Sequence, residues 1–175
     1  ASLEKGKSID ACLMIYEGYK NASLEGDGVK YLEEAKTIIP ETAQDHAMLG
    51  KVYDYLEDYD NAVSQLNIAI EKGYTGAMNI LGNIYLGRND VSGAKSLFLG
   101  ALDKNVDPAM AYNGLAMCAI CEGNYDSAVT YTAMGLECGD PNAARELLFN
   151  EIVAYEKKLD FETAMIKAES YLKIY

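Results

Sequence analysis

Tryptophan is absent from this 175-residue sequence, and it holds only three prolines and one histidine. Proline this scarce excludes polyproline and collagen-like chains, while half the residues are hydrophobic, which excludes a disordered chain. With one imidazole, His46, histidine-based catalysis or metal binding has almost nothing to draw on. Positive charge is short as well. Fifteen Lys and Arg face 27 Asp and Glu, for a net charge of -12, so the average field repels phosphate backbones and nucleic acid is not an expected partner.

No apolar run approaches the roughly 18 residues that a membrane-spanning helix needs, so no transmembrane segment is predicted. The stretch Ala1 to Ile9 lacks the basic flank and apolar run of a secretory signal. Cysteine usage, four in all, favours a reducing, cytoplasmic compartment. A chain that starts at Ala1 rather than Met leaves an exported or lipid-anchored form open.

What the sequence does hold is a repeat. Leu49-Gly50-x-x-Tyr53 is followed by Ala62-x-x-x-Leu66-x-x-Ala69, and Leu81-Gly82-x-x-Tyr85 by Ala94-x-x-x-Phe98-x-x-Ala101 at the same offsets. Weaker copies surround these two. The first has Ile15-Tyr16-x-x-Tyr19 before Gly28, Leu32, Ala35 and Pro40; the fourth has Leu115-Ala116-x-x-Ala119 before Ala128, Thr132 and Gly135. A fifth retains Tyr155, Ala164, Ala168 and Tyr171. The equivalent residues Tyr16, Gly50, Gly82, Ala116 and Ile152 are 34, 32, 34 and 36 residues apart.

Apolar residues spaced by three and four put a stripe on one helical face, and two stripes joined by a turn make a helical hairpin. Small residues belong where backbones approach closely, so Gly50 is expected to face Ala62, and Ala69 to meet the next hairpin. Tyr53 and Tyr85 would fill the space between layers. Asp58, Asp90, Asn124 and Asp160 stand just before the second helices, where a short acceptor caps free N–H groups.

The pattern resembles the tetratricopeptide repeat, whose signature is an aromatic, then Leu-Gly-x-x-Tyr, then Ala-x-x-x-Phe-x-x-Ala, then Pro. It extends from about Ile9 to the end. The departures are Cys12, His46, Met78 and Leu148 at the aromatic position, Pro40 as the closing proline left in place, and Glu151 with Ile152 where Leu and a small residue belong. The resemblance implies an all-α, right-handed superhelical solenoid of about five repeats and about ten helices. It would form one domain over residues 1–175, with repeats at about 9–42, 43–74, 75–108, 109–140 and a degenerate 141–175.

In such a fold the first helices build a concave wall. The expected wall comprises Leu13, Glu17 and Lys20; Ala47, Lys51, Asp54 and Tyr55; Asn79, Asn83 and Leu86; Met110, Asn113, Met117 and Ile120; and Phe149, Val153 and Glu156. From it Lys51, Tyr55, Asn79, Asn83, Asn113, Met117, Ile120, Phe149 and Val153 are the candidate partner-binding residues. Asparagines supply a donor and an acceptor for a peptide backbone, and methionines repack around apolar anchors. The two-carboxylate clamp of some family members is absent, leaving one anionic contact at Lys51.

The expected function is a non-catalytic scaffold that binds a protein or peptide, basic or with apolar anchors, and needs no cofactor. The alternative is a homo-oligomer assembled through the last helix, Phe161 to Tyr175. Catalytic and metal residues are expected to be none. His46 occupies a packing position, Asp58-Tyr59-Asp60-Asn61 lacks the Gly and Glu of a calcium loop, and Cys118 and Cys121 lie inside a helix. Cys121 and Cys138 are the pair with a chance of meeting across a hairpin.

Overall fold

The computed structural model describes residues 8–175; residues 1–7, most of the stretch read above for a leader, lie outside the described residues. Among the described residues there are ten helices and no strand. They pair as α1 (Ile9–Asn21) with α2 (Glu25–Ala35), α3 (Ala43–Tyr55) with α4 (Tyr59–Glu71), α5 (Ala77–Gly87) with α6 (Val91–Asp103), α7 (Pro108–Cys121) with α8 (Tyr125–Glu137), and α9 (Pro141–Lys157) with α10 (Phe161–Ile174). None is long and apolar enough to cross a membrane. By packing, the chain separates into two compact units, Ala1–Ile80 and Leu81–Tyr175.

The turns inside the hairpins are built alike. Each places one residue in the left-handed region, namely Ser23, Glu57, Asn89, Gly123 and Leu159. At Glu57 and Leu159 that conformation costs about 1 kcal/mol, which the surrounding hairpin must offset. The next residue caps the second helix in four of the five. Asp58, Asp90, Asn124 and Asp160 accept from the backbone N–H groups of Asn61, Gly93, Ser127 and Thr163 at 3.4, 2.9, 3.3 and 3.2 Å. Leu24, which has no acceptor to offer, leaves α2 without a side-chain cap.

In the first unit, α1 packs on both α2 and α3, and α3 on α4. Ile9, Cys12, Leu13, Tyr16, Leu32, Ala35, Leu49 and Val52 form the core there. A Cβ on Gly50 would stand 2.6 Å from Leu66 Cγ and 3.3 Å from the Ala62 carbonyl oxygen, so α3 and α4 touch because position 50 is bare. A capping box opens α3: Thr42 Oγ1 accepts from Asp45 N at 3.0 Å while Asp45 Oδ2 accepts from Thr42 N at 2.9 Å.

The second unit stacks α6 on α7, α7 on α8 and α9, α8 on α9, and α9 on α10. Fully buried Phe98 on α6 is enclosed by two glycines. Its ring atoms lie 2.7 Å from a Cβ built on Gly82 of α5 and 2.3 Å from one on Gly114 of α7. Farther along, Ala109, Ala143 and Leu147 form one cluster, and Ala119, Ala128 and Ala154 another.

Candidate functional site

Two adjoining hollows of about 620 and 480 Å³ open on the second unit and share Asn113, Met117 and Glu146. Met110, Asn113, Met117 and Cys121 come from α7, spaced by three or four residues and therefore on one side of that helix. Asn83, Leu86 and Gly87 at the end of α5 border them on one side. Asn142, Arg145, Glu146, Phe149 and Asn150 of α9, with Tyr171 of α10, complete the lining. The result is an open groove of mixed character. Met117 and Phe149 are 38% and 55% exposed, large apolar side chains that water contacts unless something else does.

Polar bonds fix the sides of the groove. Asn150 Nδ2 donates to Asn113 Oδ1 at 2.8 Å, tying α9 to α7 and leaving the Asn113 amide hydrogens as its remaining capacity. Arg145 Nε donates to Tyr171 Oη at 3.1 Å, and its guanidinium stands 5.7 Å from the Tyr175 ring centre. The hydrogen bond to Tyr171 holds the Arg145 guanidinium more firmly in its charged form.

Of the residues expected in the wall, Asn83, Asn113, Met117 and Phe149 are brought together here. Ile120 is not among them, because it packs against Ala119, Ala128 and Ala154. Val153 is half-buried and lines neither hollow. Asn79 is only 5% exposed and belongs to the first unit.

The burial of Asn79 belongs to a register position that recurs along the chain. Leu13, Ala47, Asn79 and Asn113 each stand three residues before the repeat marker, and all four are buried. At Asn113 that position serves both directions, accepting from Asn150 of the neighbouring first helix while lining the groove, and in the fifth repeat it is Phe149, which is 55% exposed and lines the groove as well. The sequence reading missed Asn142, Arg145, Glu146, Asn150 and Tyr171. The signal for the first four was a polar face on α9 with spacings of three and four, and Glu146 is also the repeat counterpart of Met110.

The first unit's wall is a closed charge network. Glu17 Oε1 accepts from Lys51 Nζ at 3.1 Å and from the Tyr55 hydroxyl at 3.3 Å, and Lys20 Nζ lies 4.6 Å from the Tyr55 ring centre. Burial, then the Glu17 charge, pushes the Tyr55 phenol up to about 12. Burial also raises Asp54, against the pull of Lys20 and Lys51. Lys51, expected as the one anionic contact, already has a carboxylate partner in Glu17.

His46 and Cys118 line neither hollow. His46 Nδ1 lies 2.7 Å from Gln65 Oε1, within the α3–α4 hairpin. All four cysteines are free thiols. Burial pushes Cys118 up to about 11, far from a reactive thiolate. Cys121 ends α7 and Cys138 follows α8, so in an antiparallel hairpin they stand at opposite ends, separated by a helix of 13 residues, about 20 Å. The pairing considered for them is excluded by that geometry.

No family profile and no curated protein matches the sequence. Solved structures do. PilF of Pseudomonas aeruginosa superposes with a TM-score of 0.69 at 15% identity, over 94% of this chain and 75% of its own. A tetratricopeptide repeat protein from Parabacteroides merdae gives 0.70 at 14% identity, over 94% of this chain and 64% of its own. A chain of the APC/C hetero-tetramer Cut9–Hcn1 gives 0.74 at 14% identity, over 94% of this chain but a third, 33%, of its own. With the repeated hairpins, their caps and their glycine contacts already in place, these superpositions establish that the chain has the all-helical tetratricopeptide-repeat fold.

Proposed function

We propose that this chain is a non-catalytic protein-interaction module that holds a peptide or protein segment in the groove of the second unit. The observation that carries the reading is the pairing of exposed Met117 and Phe149 with the amides of Asn83 and Asn113 along one open groove. Apolar anchors of a partner would seat on Met110, Met117 and Phe149. The Asn83 and Asn113 amides would hold its backbone. The structural neighbours include a chain of a hetero-tetramer, which agrees with a scaffold role. His46 bonded to Gln65 and Cys118 held as a thiol support the non-catalytic part of the reading.

The net charge of -12 favours a segment with basic residues, whose association rate should fall as salt rises. The test is selection of binders from a displayed random-peptide library, followed by titration of the selected peptides against Met117→Glu/Phe149→Glu. Both side chains are exposed, so the variant should melt like the parent. Binding should weaken by about tenfold or more, since each Glu would be desolvated under a bound apolar anchor. Peptides that bind the variant as tightly as the parent would place the interaction elsewhere.

A further inference from the structure

We propose that Glu146 selects what the groove accepts, by pairing with a basic side chain of the bound segment. This presupposes that a segment lies in the groove, and it names the residue that reads the segment's charge. Glu146 stands where the two hollows meet and lines both, so a segment that fills either one covers its carboxylate. Among the described residues that line the larger hollow, Glu146 alone is acidic or basic. The cation belongs there, beside Asn83, Met110 and Asn142.

Other carboxylates on the first helices are matched from within the chain: Glu17 by Lys51 at 3.1 Å and Glu151 by Lys167 at 2.9 Å. Among the described residues Glu146 has no such ion pair. Arg145, its neighbour in sequence, is drawn to Tyr171 Oη at 3.1 Å and to the Tyr175 ring, and it lines only the smaller hollow. The repeat over 109–140, which supplies Met110, Asn113 and Met117, contains no Lys or Arg. Two lysines from neighbouring hairpins, Lys95 and Lys158, are already paired with Glu122 and Asp126 of that repeat.

An apolar or acidic segment lying over Glu146 would strip water from a carboxylate and leave it unpaired, which a cation on the segment avoids. A guanidinium suits the place best. It has more N–H groups than one carboxylate accepts, and the amide oxygens of Asn83 and Asn142 border the same hollow, while its methylene stem can lie on the Met110 and Met117 thioethers. Asn113 has a different part. It is only 7% exposed and its Oδ1 is taken by Asn150, so it offers the segment amide hydrogens, which suit a backbone carbonyl and not a cation. Met110 and Glu146 hold equivalent positions on α7 and α9, which pack directly, so about one helix spacing, 8–10 Å, separates them. An extended segment advances about 3.3 Å per residue, which puts its basic residue about two or three positions from the apolar residue seated on Met110.

Peptides selected on the full parent chain from a displayed random library are the probes. They should carry Arg, or less often Lys, about two or three positions from an apolar residue. Replacing that Arg by citrulline keeps its shape and removes its charge, and should weaken binding by about tenfold. Glu146→Gln should weaken the arginine peptide by a similar factor but the citrulline peptide hardly at all, because both changes remove the same interaction. Glu146 is exposed, so the variant should melt like the parent. Glu146→Arg should in turn prefer a peptide with Glu in place of the Arg. A Glu146→Gln variant that holds the selected peptides as tightly as the parent, while Met117→Glu/Phe149→Glu loses them, overturns the pairing and leaves the groove in place. Selected peptides without a basic residue overturn it too, as does a citrulline peptide that loses as much on Glu146→Gln as the arginine peptide does. Peptides indifferent to all of these changes would remove the groove and the pairing together.

Discussion

Replacing Gly114 by alanine sets two effects of opposite sign against each other. Helix propensity alone predicts that the change in α7 stabilises by about 1 kcal/mol. The structure predicts the reverse. A Cβ at position 114 would stand 2.3 Å from Phe98 Cζ and 2.4 Å from Cε1, and the ring has no free direction, because Gly82 confines it from α5 at 2.7 Å. Overpacking of this kind costs about 1–3 kcal/mol, and more where neighbours cannot move. We expect Gly114→Ala to destabilise by about 1–2 kcal/mol net, lowering the melting temperature by about 2–8 °C. Shortening the ring supplies the control. Phe98→Leu alone should cost about 1–1.5 kcal/mol, yet combined with Gly114→Ala the loss should fall short of the sum by at least about 1 kcal/mol. Urea unfolding of the two single variants and the double variant measures that coupling. A Gly114→Ala variant as stable as the parent, or two effects that simply add, would refute the claim that the Phe98 ring sets the distance between α6 and α7.

Two further outcomes follow from the bonds described. Hydrogen bonds from the backbone N–H groups of Thr42, foremost, and Glu41 hold the Asp45 carboxyl below its ordinary range. A depressed folded pKa stabilises the fold above the unfolded value and loses that contribution as pH falls through the folded one, so stability followed between pH about 5 and 2 should drop more steeply in the parent than in Asp45→Asn. Equal slopes would remove the capping box from the account. Of the four thiols, Cys121 and Cys138 are exposed and should react with a chromogenic disulfide at once, whereas Cys12 and Cys118 should wait for unfolding; more than two fast thiols would contradict the burial assigned here.

The hairpins and their caps were legible in the sequence because each rests on a local rule. An acceptor just before a helix meets free N–H groups three residues on, whatever else the chain does, and all four residues read as caps make that bond. The wall was legible only in part. Leu13 and Glu17 are one helical turn apart and differ by about 40° around the axis, so periodicity puts them on the same side. Which of the two faces the groove and which faces the next first helix depends on the crossing of α1 and α3, a tertiary quantity. The same ambiguity carried Ala47 and Asn79 into the predicted wall. Arg145 and Tyr171 escaped for a different reason: their placement depends on a bond between α9 and α10 in the repeat that departs most from the pattern.

The way the small residues are distributed explains how such a fold outlasts its consensus. At the tightest contacts here a bare position on one helix admits a bulky side chain from the other, and either helix can supply the bare one. In the second unit Phe98 of α6 sits against Gly114 of α7, and at another register position Gly135 of α8 sits against Leu147 of α9, so the bare residue lies on the first helix in one contact and on the second helix in the other. The glycine at 114 stands where the repeat has no glycine, and the threonine at 132 stands where it has phenylalanine, yet both are fully enclosed. Close approach of two helices therefore depends on there being a bare position in the contact, and a residue that breaks the consensus, as Gly114 does, can supply it.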